Sequence, residues 1–174
     1  MFVKNQNESS FLQVAIAHYV QSMILTTNYF TSPWMPPLGG GGQPGAPPPA
    51  QQTGWDERVF HKMIKCTSEL GHHASTVVLC QFVSDSDYPT AFRSLEDRGS
   101  CDAMDAMYPF MWDVTALEYA VSMHTKRGEL ARKKKALDTI GQLEVNTNNN
   151  EEILREARAS RRSAFMRYLA SVFV

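Results

Sequence analysis

Cys66, His72, His73 and Cys80 fall within fifteen residues of one another, and both residue types bind metals. A structural zinc site uses thiolates and imidazoles in pairs two to four residues apart, so that one turn presents two ligands together. Here the spacing is C-x5-H-H-x6-C. Adjacent histidines at a helix start point in different directions. The four residues therefore read as small buried thiols and helix-capping imidazoles, and no metal is expected. A Cys–His nucleophile pair has no local motif behind it. "LGGGGQPG" (residues 38–45) lacks the lysine and the strand-to-helix context of a phosphate loop. Asp102, Asp105 and Asp113 are scattered along one segment, and acidic first turns of helices account for the first two. No catalytic constellation emerges. The sequence predicts a protein that is not an enzyme, with no cofactor and no small-molecule substrate.

The strongest charge cluster is "KRGELARKKKALD", residues 126–138, followed by the basic run in "EEILREARASRRSAFMRYLASVFV". Residues 1–125 carry six Lys/Arg against twelve Asp/Glu, whereas residues 126–174 carry eleven against six. An acidic body with a basic end can steer an acidic partner. Lys133, Lys134, Arg155, Arg158, Arg161 and Arg162 are the candidate partner-binding residues. Between Ala157 and Phe165 the last helix has only small, polar and basic residues, so its middle is either exposed or set against an acidic surface. Nucleic-acid binding wants exposed aromatics among the basic residues, or a recognisable fold. Residues 126–138 contain no aromatic. A tetratricopeptide-like adaptor that grips a short peptide motif and a nucleic-acid-binding tail over 126–135 and 155–167 are the competing readings, and sequence-specific nucleic-acid recognition is not expected.

The elements that must hold these residues are helices. The 174 residues are 43% hydrophobic and 20% charged, with a net charge of −1, which suits one domain or one piece of a repeat array. Three cysteines without tight spacing point to a reducing compartment. The first residues are polar, and no leader peptide is read there. No run reaches the eighteen apolar residues of a membrane span, so no membrane partner is expected. Phe11, Val14, Ala15, His18, Tyr19, Ser22 and Leu25 recur at helical spacing and predict a helix over 9–28, with Met23 and Ile24 widening its apolar face. Proline and glycine dominate 32–54 and predict a long disordered loop. Trp55, Val59, Phe60, Met63, Ile64, Thr67 and Leu70 form the next stripe, which Gly71 stops. Further helices are predicted over 73–83, from Pro89 to Leu95, over 102–125 with a kink or restart near Pro109, over 129–143, and from Glu151 to about Val172.

The fold class is therefore all-α: an irregular tetratricopeptide-like helical repeat of antiparallel helix pairs with a long Pro/Gly loop. It divides into an N-terminal helix (1–30), the loop (31–54) and a helical-repeat domain (55–174). The expected core includes Trp55, Phe60, Phe82, Phe110, Trp112 and Leu117. Phe110, Val114, Leu117 and Val121 form a stripe, with Met107, Met111 and Tyr119 off it. That makes the fourth helical region apolar on several sides and places it between neighbours.

"WDERVFHKMIKC", "VVLCQF", "DYPTAFRSLED", "DAMDAMYPFMWDVTALEY", "KRGE" and "TIGQLEVN" resemble, in that order, the C-terminal region of the Integrator complex subunit 8 family. The resemblance covers about residues 55–174. Residues 9–30 are similar to the helix that precedes this region in the family, and 33–54 depart from it. The resemblance implies a nuclear, non-catalytic helical scaffold, several times longer than this chain. It implies partners among the other Integrator subunits and, through the whole complex, protein phosphatase 2A. It further implies a part in recruiting that phosphatase to RNA polymerase II, in small nuclear RNA 3′-end processing and in early transcription termination. The nuclease and phosphatase activities of the complex lie in other subunits.

Overall fold

Two glycines and two aspartates set the helix boundaries. Gly71 and Gly128 take φ of 80° and 71°, the left-handed conformation that ends a helix without a Cβ clash. At each the next two N–H groups turn back onto the last turn. Gly128 N donates to Thr125 O at 3.2 Å and Glu129 N to His124 O at 2.9 Å. Asp87 accepts from Thr90 N at 3.2 Å and Asp113 from Ala116 N at 2.9 Å, each opening a helix.

A computed structural model describes residues 6–27, 30, 57–147 and 151–174. It contains α1 (Gln6–Thr26), α2 (Glu57–Leu70), α3 (His73–Leu79), α4 (Tyr88–Glu96), α5 (Val114–Arg127), α6 (Leu130–Thr147) and α7 (Glu151–Phe173). Two 3₁₀ turns, Met104–Ala106 and Tyr108–Phe110, precede α5. No strand occurs among the described residues. Successive helices pack on one another, most extensively α5 on α6. α7 returns to pack on α1 and on the second 3₁₀ turn. The architecture is an all-α, tetratricopeptide-like helical repeat. Trp55 and the Pro/Gly segment lie outside the described residues.

Phe60, Phe82 and Leu117 are buried. Phe82 is the aromatic hub, with ring centroids 5.2 Å from Phe60, 5.3 Å from Trp112 and 5.8 Å from Phe165. Phe110 and Trp112 are partly buried against the same cluster.

Of the two alternatives for 102–125 the helix restarts rather than kinks, beginning only at Val114 after two 3₁₀ turns. The side-chain oxygen of buried Gln81 accepts from Trp112 N and Asp113 N, each at 2.8 Å. A continuous helix would have spent those two donors on its own carbonyls, so the helix starts only after Asp113. With 108–113 out of helical phase, the predicted stripe breaks up: Val114 is exposed, while Met107 and Met111, expected off it, are fully buried.

The face of α1 is also rotated from its prediction. Ile16, Val20, Met23 and Thr27 are buried, whereas Phe11, Val14 and Leu25 are exposed.

Two capping assignments change as well. Asp102 does not open its own helix. It caps α3 from 28 residues away, accepting from Ala74 N at 2.9 Å and Ser75 N at 2.7 Å. His72 makes no side-chain cap and meets the Phe173 ring edge-on instead. Asp105 bridges to α6, accepting from Arg132 Nε and Lys135 Nζ, each at 3.0 Å.

Candidate protein-docking site

The six basic residues singled out in the sequence separate into two groups. Arg161 donates to the carbonyl of Met111. Arg162 donates to the carbonyl of Gln81 at 3.5 Å. Its guanidinium also lies 5.4 Å from the Phe82 ring centroid and 5.1 Å from that of Trp112. Burial and the nearby Arg158 lower the Arg162 pKa to about 10, which leaves it charged at neutral pH and able to use both aromatic faces. Burial alone lowers that of Arg161. These two arginines fasten α7 to the junction that Gln81 organises. Arg161 and Arg162 therefore face this chain's own carbonyls and rings, while Arg158 and Ser160 of the same helix are exposed.

Arg158 and Lys134 are exposed, and Lys133 and Arg155 are half-buried. Lys133 and Lys134 sit on α6, where Leu130 is 73% and Leu137 47% exposed. Their neighbours Arg132 and Lys135 are committed inward to Asp105. Burial raises the Asp105 carboxyl, but the hydrogen bonds from Lys135 and Arg132 outweigh it and hold the group below its usual range.

A second surface was missed in the sequence. On α1, Phe11 is 75% exposed, Val14 50% and Leu25 80%. Among residues 6–26 the only charged side chain is Glu8. Apolar residues at both i, i+3, i+7 registers made the helical period unable to choose a face. The absence of Lys and Arg along α1 was the signal that its outer face would carry apolar residues too.

Cys66 and Cys80 are buried, and burial, with Asp87 nearby, pushes the Cys80 thiol up to about 12. Cys101 is exposed, and His73 Nε2 lies 3.3 Å from Asp97. Among the described residues no three His, Cys, Asp or Glu side chains are grouped to hold a metal, and no helix is long and apolar enough to cross a membrane. Buried His124 and Tyr108 form one relay with the partly exposed Glu129. Tyr108 Oη meets His124 Nε2 at 2.6 Å, and His124 Nδ1 meets Glu129 Oε2 at 2.6 Å. It ties the α5–α6 turn to the second 3₁₀ turn.

A family model described as "INTS8, TPR repeats" matches residues 4–173. Integrator complex subunit 8 of Mus musculus is 36% identical over 172 residues, which is 99% of this chain and 15% of the mouse protein. The Homo sapiens protein is 37% identical over 159 residues, covering 91% of this chain and 14% of the relative. The Xenopus laevis protein is 35% identical over the same length. The chain thus spans about 15% of the length of the curated relatives it matches. The helical pairs, the junction that holds α7, and a match running through nearly the whole sequence agree: the chain belongs to the Integrator complex subunit 8 family of tetratricopeptide-repeat proteins.

Proposed function

We propose that this chain is a non-catalytic scaffold element of an Integrator complex, acting through contacts with other Integrator subunits. The observation that carries the reading is the exposed face of α1, where Phe11, Val14 and Leu25 stand among the polar residues His18 and Ser22. Phe11, Val14 and Leu25 stand outside a core that Ile16, Val20 and Met23 already complete. A helix that is apolar on two sides and nearly uncharged is built to be covered on both. We further propose a nuclear setting and a role in the module that brings protein phosphatase 2A to RNA polymerase II, a reading supported by the resemblance to the subunit 8 family. That role serves small nuclear RNA 3′-end processing and early termination.

The basic C-terminal helices favour nucleic acid less than their composition suggests, because Arg161 and Arg162 bind this chain's own carbonyls. Affinity purification of the tagged full chain from nuclear extract, read by quantitative mass spectrometry against a tag-only control, tests the proposal. Other Integrator subunits are expected among the enriched proteins. Recovery of the folded chain without them would overturn the reading.

A further inference from the structure

α6 presents a second uncovered face with a distinct chemistry. Leu130, Lys134, Leu137 and Gly141 follow the i, i+4, i+7, i+11 spacing of one helical stripe, and all four are exposed. Ala136 and Thr139 are buried on the opposite side against the rest of the fold. Lys133 flanks the stripe, and Asp138 lies at its other rim. Neither Lys133 nor Lys134 forms an ion pair among the described residues, whereas Lys135 and Arg132 both bind Asp105.

Gly141 is the informative position. It lies inside an α-helix, where alanine is the better helix former. A Cβ built there would meet nothing within 4 Å. Folding of this chain therefore gives no reason for a glycine. A missing side chain on an exposed stripe, one turn beyond an exposed leucine, leaves a notch in which a second backbone can come close.

We infer that the Leu130–Lys134–Leu137–Gly141 face of α6 docks an acidic amphipathic helix of a partner protein. The leucines enter the partner's apolar seam, Gly141 receives the closest crossing, and Lys133 and Lys134 face carboxylates at its edge. The inference rests on the assembly reading above and adds the surface and the partner's chemistry.

The test uses the full chain and a fluorescein-labelled helical peptide of three heptads, with leucine at a and d and glutamate at e and g. A matched peptide carries lysine at e and g. Fluorescence anisotropy is expected to show binding of the acidic peptide and affinity for the basic one weaker by at least about tenfold. Leu137→Glu and Gly141→Leu should each weaken the acidic peptide by about tenfold. Gly141→Leu should do so with an unchanged or higher melting temperature, because the space around the glycine is open, and it carries the test should Leu137→Glu fail to fold. Equal binding of the two peptides, no binding of either, or indifference to Gly141→Leu would overturn the inference. So would the same variants abolishing binding to phosphatidylserine vesicles, to duplex RNA or to a second copy of this chain while leaving peptide binding intact. Peptide failure with Integrator subunits still recovered from nuclear extract would remove this inference alone and leave the assembly reading standing.

Discussion

Arg162 shows how one side chain can look like a surface residue in the sequence and behave as a fastener in the structure. Its neighbours along the helix are small or basic, so local sequence offers nothing for it to bind. Its partners, the Gln81 carbonyl and the Phe82 and Trp112 rings, come from 50 to 81 residues away. Arg162→Ala is expected to destabilise the chain by about 1–3 kcal/mol, through loss of a partly desolvated cation–π pair and a carbonyl bond. Arg158→Ala, one turn earlier and exposed, should stay within about 0.5 kcal/mol of the parent. Urea titrations of the two variants measure the contrast.

Asp102 gives a pH signature at the same scale. Burial raises its pKa, but the Ser100 and Ser75 side chains and the Ser75 and Ala74 N–H groups outweigh burial, and the net shift is downward. A carboxyl whose folded pKa is depressed contributes stability that is present above its unfolded pKa near 4 and lost as pH falls through the folded value. Asp102→Asn should therefore lower stability at pH 7 and flatten its decline between about pH 5 and pH 2. Circular dichroism melts across that range would record it.

At the scale of elements, helix existence was legible and helix phase was not. Gly71, Gly128 and Pro89 fix helix ends by local sterics, and the structure places boundaries at each. The segment 102–113 misled because its fate is decided by Gln81, thirty residues earlier, whose oxygen takes the donors of Trp112 and Asp113. Nothing within the segment records that capture. α1 misled for a different reason: it is apolar on both sides, so periodicity could not say which side is inward.

Two predictions belong here. Gly128→Ala forces a Cβ into the left-handed region and should cost about 1–2 kcal/mol. Gly141→Ala, in a helix interior with open space around it, should stabilise by up to about 1 kcal/mol. Opposite signs for two Gly→Ala changes thirteen residues apart would confirm that one glycine is needed by the fold and the other is not.

For the whole molecule, the helices enclose a core in which Phe82, Phe165, Leu117 and Met111 meet, while apolar residues remain outside on α1 and α6. α7 crosses back to α1, and Arg167 donates to the carbonyl of Phe30 at 3.2 Å. α7 is thereby fastened to α1 and to Phe30 beyond it, away from the exposed Phe11, Val14 and Leu25. Of the proposed docking surfaces, the basic part was legible as charge. The apolar part was hidden, because exposed and buried leucines look alike until neighbouring helices are placed.

The most direct test of the scaffold reading is the Phe11→Glu/Leu25→Glu double variant, purified from nuclear extract beside the parent with thermal melting run in parallel. The account predicts a stability within about 0.5 kcal/mol of the parent and a loss of co-purifying Integrator subunits of tenfold or more. A variant that keeps its partners while its melting temperature falls would contradict it, since α1 would then be closing this chain's own core rather than holding another protein.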